Sequence, residues 1–218
     1  MRYDAGEIIT AMITPMTEDR KIDFQSLEKL INHLIDSGTD AILAAGTTGE
    51  SPTLTHDEEV ELFKFVKEKT AGRCKLIFGA GSNCTQTAVM ATKNAKDAGA
   101  DAILSVVPYY NKPSQKGLLE HFGTIANSTD LPVILYNIPG RTGITMKPET
   151  IGELAKRHKN IVAVKQSLAD MDVITETRRA CPDDFLIYSG DDSLTLPMMS
   201  VGAYGVISVA SPVIGREM

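Results

Sequence analysis

The sequence predicts an α/β chain closed into a (β/α)8 barrel of the TIM type, and two observations carry the prediction. Short apolar runs alternate with amphipathic helical patterns from one end of the chain to the other, and strand–helix alternation implies a parallel sheet with crossover connections. Eight such runs recur at a fairly even pitch of roughly 25–30 residues, which fits eight βα units closing on themselves. An open, doubly wound sheet is the competing architecture. No G-x-G-x-x-G follows the first strand, which weakens the dinucleotide-binding version of that alternative.

The strands are read, in order, as EIITAMIT, DAILAAG, CKLIFGAG, DAILSVVP, PVILYN, NIVAVKQ, DFLIYSG and YGVISVA. Strands covered on both faces are nearly continuous in apolar residues, as these are. The first helix, FQSLEKLINHLIDSG, sets Leu27, Leu30, Ile31, Leu34 and Ile35 on one face at helical spacing. The next, THDEEVELFKFVKEK, opens on Thr55 with Glu58 three residues on, the pattern of a capping box. TAVMATKNAKDAGAD runs into Gly99, a natural helix stop. SGTDAI and AGADAI, ahead of the second and fourth strands, mark equivalent units. After the eighth strand only SPVIGREM follows. One domain over residues 1–218 is therefore expected: a barrel lacking its eighth helix, either a shortened product or one that leaves the seam of its first and last strands to a partner subunit.

Bulk properties narrow the function. The chain has 218 residues, 43% hydrophobic and 23% charged, ordinary for a globular protein with a substantial core. A net charge of -6 and a pI near 5.3 lack the basic footprint of a nucleic-acid binder. No basic cluster points to an anionic membrane surface, and no apolar run is long enough to span a bilayer. Cys74, Cys84 and Cys181 are odd in number and widely separated, which fits neither a disulfide framework nor a zinc ribbon. The start, MRYDAGEIIT, has no signal-peptide h-region, so a cytoplasmic location is expected. His33, His56, His121 and His158 are scattered, and neither a metal nor a cofactor is expected.

In a barrel of this kind chemistry sits at the carboxyl ends of the strands. The residues there are GTTGE after strand two, PYYN after four, YNIPGRTG after five, Lys165 ending six, and SGDD, with Gly190, after seven. Side chains alternate along a strand, so Ile161, Ala163 and Lys165 are expected on one face and Val162 and Val164 on the other. The outer face packs on helices and has no place for an amine; the inner face ends in the barrel mouth. Burial there lowers a lysine pKa, and a neutral amine attacks carbonyl carbon to form a Schiff base. A lysine snorkelling outward fits the same position taken alone.

Thr47 and Thr48, in GTTGESPT, offer hydroxyls and amides on a tight turn suited to a small carboxylate; a glycine-rich turn with capping threonines reads the same. Tyr136 ends the strand beside Lys165, either a proton donor and acceptor or an amphipathic filler. Arg141 in the next loop is a bidentate clamp for a second carboxylate, or a surface arginine. In SGDD, Asp191 or Asp192 is expected to cap the following helix rather than to bind metal.

Taken together these stretches resemble the class I pyruvate-dependent aldolase and lyase superfamily. The resemblance runs from AMITPMTEDRKID to YGVISVASPV, and GTTGESPTLTHDE, PYYNKPSQKGLLEHF and YNIPGRTG carry it in combination. It is nearest to the branch that condenses pyruvate with L-aspartate 4-semialdehyde in lysine (diaminopimelate) biosynthesis. Aldolases acting on N-acetylneuraminate or 2-keto-3-deoxy sugar acids are the alternative, and a barrel fragment without activity is another.

The resemblance implies that Lys165 forms the imine with pyruvate. Thr48 and the Thr47 amide would hold the pyruvate carboxylate, with the backbone near Ile207 and Gly190 closing the pocket. Thr47, Tyr136 and Tyr110 would form a proton relay, Tyr110 reaching into a neighbouring subunit of a homodimer or homotetramer and Tyr109 packing at that interface. Arg141 would bind the carboxylate of the semialdehyde. The family commonly has glutamate where this chain has Gln166, and it usually continues past the barrel into a helical region. Ser51, His56, Asn83 and Tyr109 match a lysine-feedback pocket of some members, whereas Thr87 stands where sensitive members often carry glutamate.

Overall fold

The computed structural model describes residues 3–218. Eight strands line the molecule: β1 (Ile8–Ala11), β2 (Ala41–Ala44), β3 (Lys75–Gly79), β4 (Ala102–Val106), β5 (Val133–Asn137), β6 (Ile161–Gln166), β7 (Leu186–Ser189) and β8 (Gly205–Ser208). They follow one another around a closed barrel in sequence order. β1 pairs in parallel with both β2 and β8, which rules out the open sheet. The helices are α1 (Phe24–Asp36), α2 (His56–Thr70), α3 (Thr85–Asp97), α4 (Gln115–Asn127), α5 (Pro139–Thr142), α6 (Pro148–Arg157), α7 (Met171–Ala180), α8 (Thr195–Ser200) and α9 (Ser211–Ile214). None is long and apolar enough to cross a membrane.

Local chemistry starts and stops these helices where the residues allow. Asp23 caps α1 by accepting from the amides of Gln25 and Ser26, and Leu27, Ile31 and Leu34 turn the apolar face inward. The α2 capping box forms as expected, with Glu58 accepting from the Thr55 amide at 2.8 Å and Thr55 accepting from the Glu58 amide at 3.3 Å. At the end of α3, Gly99 takes a φ of +81°, one residue past the cap at Ala98. That left-handed conformation costs glycine least.

The core has two layers. Ile9, Leu43, Ile77, Leu104, Ile134 and Ile207 fill the barrel. A larger set, including Leu27, Ile31, Phe63, Phe122 and Leu154, lies between barrel and helices. The buried inner faces leave room for chemistry only at the barrel's ends.

One expectation fails. Ile161 belongs to the outer layer with Val164, while Val162 and Ala163 both join the inner layer. The cause is an irregularity in the β5–β6 pairing, where Val133 faces Ile161 but the next residue, Ile134, faces Ala163. Two residues of β6 there oppose a single step of its neighbour, as in a bulge. Strict alternation resumes above it, and Lys165 points inward as expected.

Beyond β8, the seam with β1 carries the short α9 turn. Ser211 and Thr10 share a buried hydrogen bond of 2.8 Å, and the Pro212 carbonyl lies 2.9 Å from His33 Nε2 on α1.

Candidate active site

The carboxyl ends of the strands enclose a cavity of about 510 Å³, with Lys165 and Gly190 in its wall beside Thr47, Thr48, Tyr136 and Arg141. A neighbouring cavity of about 330 Å³ shares Thr47, Tyr136 and Arg141 with it and extends to Ser51 and Tyr109. The mouth thus brings together residues at or just after β2, β5, β6 and β7, from Thr47 to Gly190 in the chain.

Lys165 is 5% exposed. Among the described residues it makes neither an ion pair nor a hydrogen bond, and its Nζ lies 4.6 Å from the centre of the Tyr136 ring. Burial is the main force on the amine and pulls its pKa down to about 8; the Asp192 carboxylate opposes this and the Arg141 guanidinium adds to it. An amine so placed spends a useful fraction of time unprotonated near neutrality. Tyr136 is its direct partner across the β5–β6 pairing. Burial raises the Tyr136 phenol, while Ser167, Arg141 and Thr47 nearby hold it down. Neither Ser167 nor Thr47 makes a hydrogen bond of normal geometry to it.

The turn after β2 is built by position-specific chemistry. Ala45 adopts a left-handed φ of 47°. A side chain at Gly79 on β3 would overlap its carbonyl, so that glycine makes room for the turn. Thr14 Oγ1 donates to the Gly49 carbonyl at 2.7 Å, tying the turn to the β1 loop. The amides of Gly49 and Glu50 close back on Gly46 and Thr47. Those of Thr47 and Thr48 have no acceptor among the described residues. Two free amides beside two hydroxyls offer donors that a carboxylate can accept from.

Arg141 rides on α5, exposed at the rim, and makes no ion pair among the described residues. An unpaired guanidinium facing the cavity can receive a second carboxylate. Tyr109 lines the smaller cavity, whereas Tyr110 is 89% exposed, holds a φ of 72° and lines neither. Within one chain the relay therefore gathers Thr47 and Tyr136 but not Tyr110. Ile207 packs its side chain in the barrel interior, and Val209, just past β8, lines the cavity. Asp191 caps the turn that follows β7 by accepting from Ser193 N at 3.0 Å.

Two contributors, Ser167 and Asn137, are absent from the sequence reading, and a third, Asp192, is read there only as a possible cap. Ser167, two residues beyond Lys165, lines the cavity; alternation along the strand was its available signal. Asp192 straps the loop after β8 by accepting from the amides of Val209 and Ala210, each at 3.1 Å. No local pattern announces that link. Asn137 is fully buried and joins Met146, through both its amide groups, to Gln166, which it meets at 2.9 Å. Gln166 in turn donates to Thr177 at 3.3 Å. Gln166 thus faces away from Lys165 and fastens β5 and β6 to α7, a place where its amide both accepts and donates.

The family model described as the dihydrodipicolinate synthetase family matches residues 4–218. A 4-hydroxy-tetrahydrodipicolinate synthase of Listeria innocua is 54% identical over 217 residues, covering 99% of this chain and 74% of its own. The crystal structure of a dihydrodipicolinate synthase from Bacillus anthracis superposes with a TM-score of 0.97 at 50% identity, covering 100% of this chain and 74% of that one. A solved structure described as a monomeric dihydrodipicolinate synthase variant is 39% identical, with a TM-score of 0.93 over 97% of this chain and 71% of that one. Kinship of this extent reaches every strand end that faces the mouth, and the chain belongs to the dihydrodipicolinate synthetase family.

Proposed function

We propose that this chain condenses pyruvate with L-aspartate 4-semialdehyde to give 4-hydroxy-tetrahydrodipicolinate, in lysine biosynthesis, through an imine on Lys165. The observation that carries the assignment is an amine buried at the barrel mouth with no ion pair among the described residues, its pKa pulled down to about 8. Neutral Nζ attacks the keto carbon of pyruvate, and loss of water leaves an iminium. That cation is an electron sink which acidifies the adjacent methyl; loss of a methyl proton gives an enamine, the carbon nucleophile for the aldehyde. The amine of the bound semialdehyde then displaces Lys165 as the ring closes.

The pyruvate carboxylate sits on the amides and hydroxyls of Thr47 and Thr48, with the backbone at Gly190 and near Ile207 completing the pocket. Tyr136 and Thr47 move protons, a service worth roughly 10²–10⁴ in rate. Arg141 takes the carboxylate of the semialdehyde. Tyr110, exposed and outside both cavities of its own chain, completes the relay of a second subunit in a homodimer or homotetramer, with Tyr109 beside it at the interface. The enzyme works in the cytoplasm, without metal or cofactor.

Borohydride reduction in the presence of pyruvate, followed by peptide mass mapping, tests the assignment: the adduct belongs on Lys165, and a folded sample without it removes the mechanism. The pH dependence has a definite sign. The ammonium cannot attack, so the rate of imine formation should rise about tenfold per pH unit below the Lys165 pKa of about 8 and level off above it. A flat profile between pH 6 and 8 would contradict this. Arg141→Ala should leave pyruvate trapping intact and lower kcat/KM for the semialdehyde by about 100-fold, the worth of a charge-assisted hydrogen-bonded pair. Unchanged semialdehyde kinetics would exclude Arg141 from that role.

A further inference from the structure

We propose that Ser167 is a catalytic hydroxyl, donating to the keto oxygen of pyruvate while Lys165 attacks the carbon. The proposal rests on the reading of Lys165 as the imine-forming residue and adds a group to it. Ser167 follows Lys165 by two positions, so its side chain leaves the strand end on the same side. Ser167 lines the Lys165 cavity, and its Oγ is buried with no hydrogen bond of normal geometry among the described residues. Leaving a buried hydroxyl unpaired is costly, and a native site that does so reserves the group for something brought in from outside.

Gly190 shows where the hydroxyl sits relative to the amine. A Cβ at that position would overlap Ser167 Oγ and would lie 2.8 Å from Lys165 Cε. The serine oxygen and the end of the lysine stem therefore flank one point, and the missing side chain admits them both. Their backbones are pinned: Ser167 N donates to the Asn137 carbonyl at 2.9 Å, and Gly190 N to the Gln166 carbonyl at 2.8 Å. A hydroxyl held by two strand ends meets its target with little reorganisation. The Tyr136 phenol borders the same space, and Ser167 is the first of the neighbours that hold its pKa down against burial.

The step balances within these groups. As the C–N bond forms, the π pair of the keto group moves to oxygen. That oxygen takes the Ser167 proton, Ser167 takes the phenolic proton of Tyr136, and Tyr136 is restored by the proton that Nζ releases. Ser167 ends as it began, and the product is the neutral carbinolamine that precedes the iminium.

Timed borohydride quenching of the whole chain with pyruvate measures the rate of imine formation directly. Ser167→Ala should slow it about three- to tenfold, the worth of one hydrogen bond. KM for the semialdehyde should stay as in the parent protein, and the melting temperature should not fall. An imine rate equal to that of the parent overturns the proposal. So does a fall in melting temperature with a parallel rise in KM for both substrates, which marks a packing role. Absence of any adduct in the parent protein would instead sink the Lys165 reading itself, so the two failures are separable.

Discussion

Lys165→Met should abolish the borohydride-trapped pyruvate adduct and reduce turnover by at least about 10⁴-fold, because covalent capture has no substitute in this mouth. The same change should make the protein more stable. An exposed lysine titrates at 10.5 and Lys165 at about 8, because burial disfavours its charged form. Between those values the unfolded chain binds more protons than the native one, so native stability rises with pH there. Below about 8 the penalty is constant and at its fullest. A shift of this size corresponds to about 3 kcal/mol. Methionine fills a similar volume without a charge, so the melting temperature at pH 7 should rise by several degrees. Calorimetry and adduct mapping on one preparation check both halves. A variant that loses activity and stability together would show that Lys165 is a structural residue.

Gly190→Ala should cost the enzyme more than 100-fold in imine formation while sparing its fold. The new methyl would take the space in which Ser167 Oγ and Lys165 Cε converge. The amine must then swing away from the cavity, and small misplacements of a reacting atom cost about 10² in rate. The backbone at Gly190 has no need of a left-handed conformation, since its φ lies outside the positive range. Crowding alone is at stake, so the melting temperature should move by no more than about 1–2 kcal/mol would produce. Parent-like trapping kinetics in Gly190→Ala would mean that the lysine is not held where the structure puts it.

Much of this molecule is legible from residues in order. All eight apolar runs become strands, because Val, Ile, Leu and Ala in short blocks between helices have no other way to be buried on both faces. The α2 cap is equally local, since Thr55 and Glu58 satisfy each other's backbone within one turn. The Lys165 reading rests on the same kind of reasoning: an ammonium cannot face the helical layer, so it faces the mouth. Where reading failed, the cause was distant. Alternation misplaced Ile161 because β5 imposes an irregular register on β6. Asn137 went unread, and Asp192 was read only as a possible cap, because their partners lie on other elements.

The chain's own order of residues determined the barrel, its strand ends and the lysine that ends the sixth strand facing the mouth, since each follows from polarity and spacing within a few residues. Only the tertiary structure decided that Tyr136 stands opposite Lys165, that Gly190 leaves space for Lys165 and Ser167 together, and that Tyr110 stands exposed outside both cavities. Those outcomes depend on inter-strand register and on volumes shared by side chains far apart in sequence, quantities that take a value only when the sheet closes.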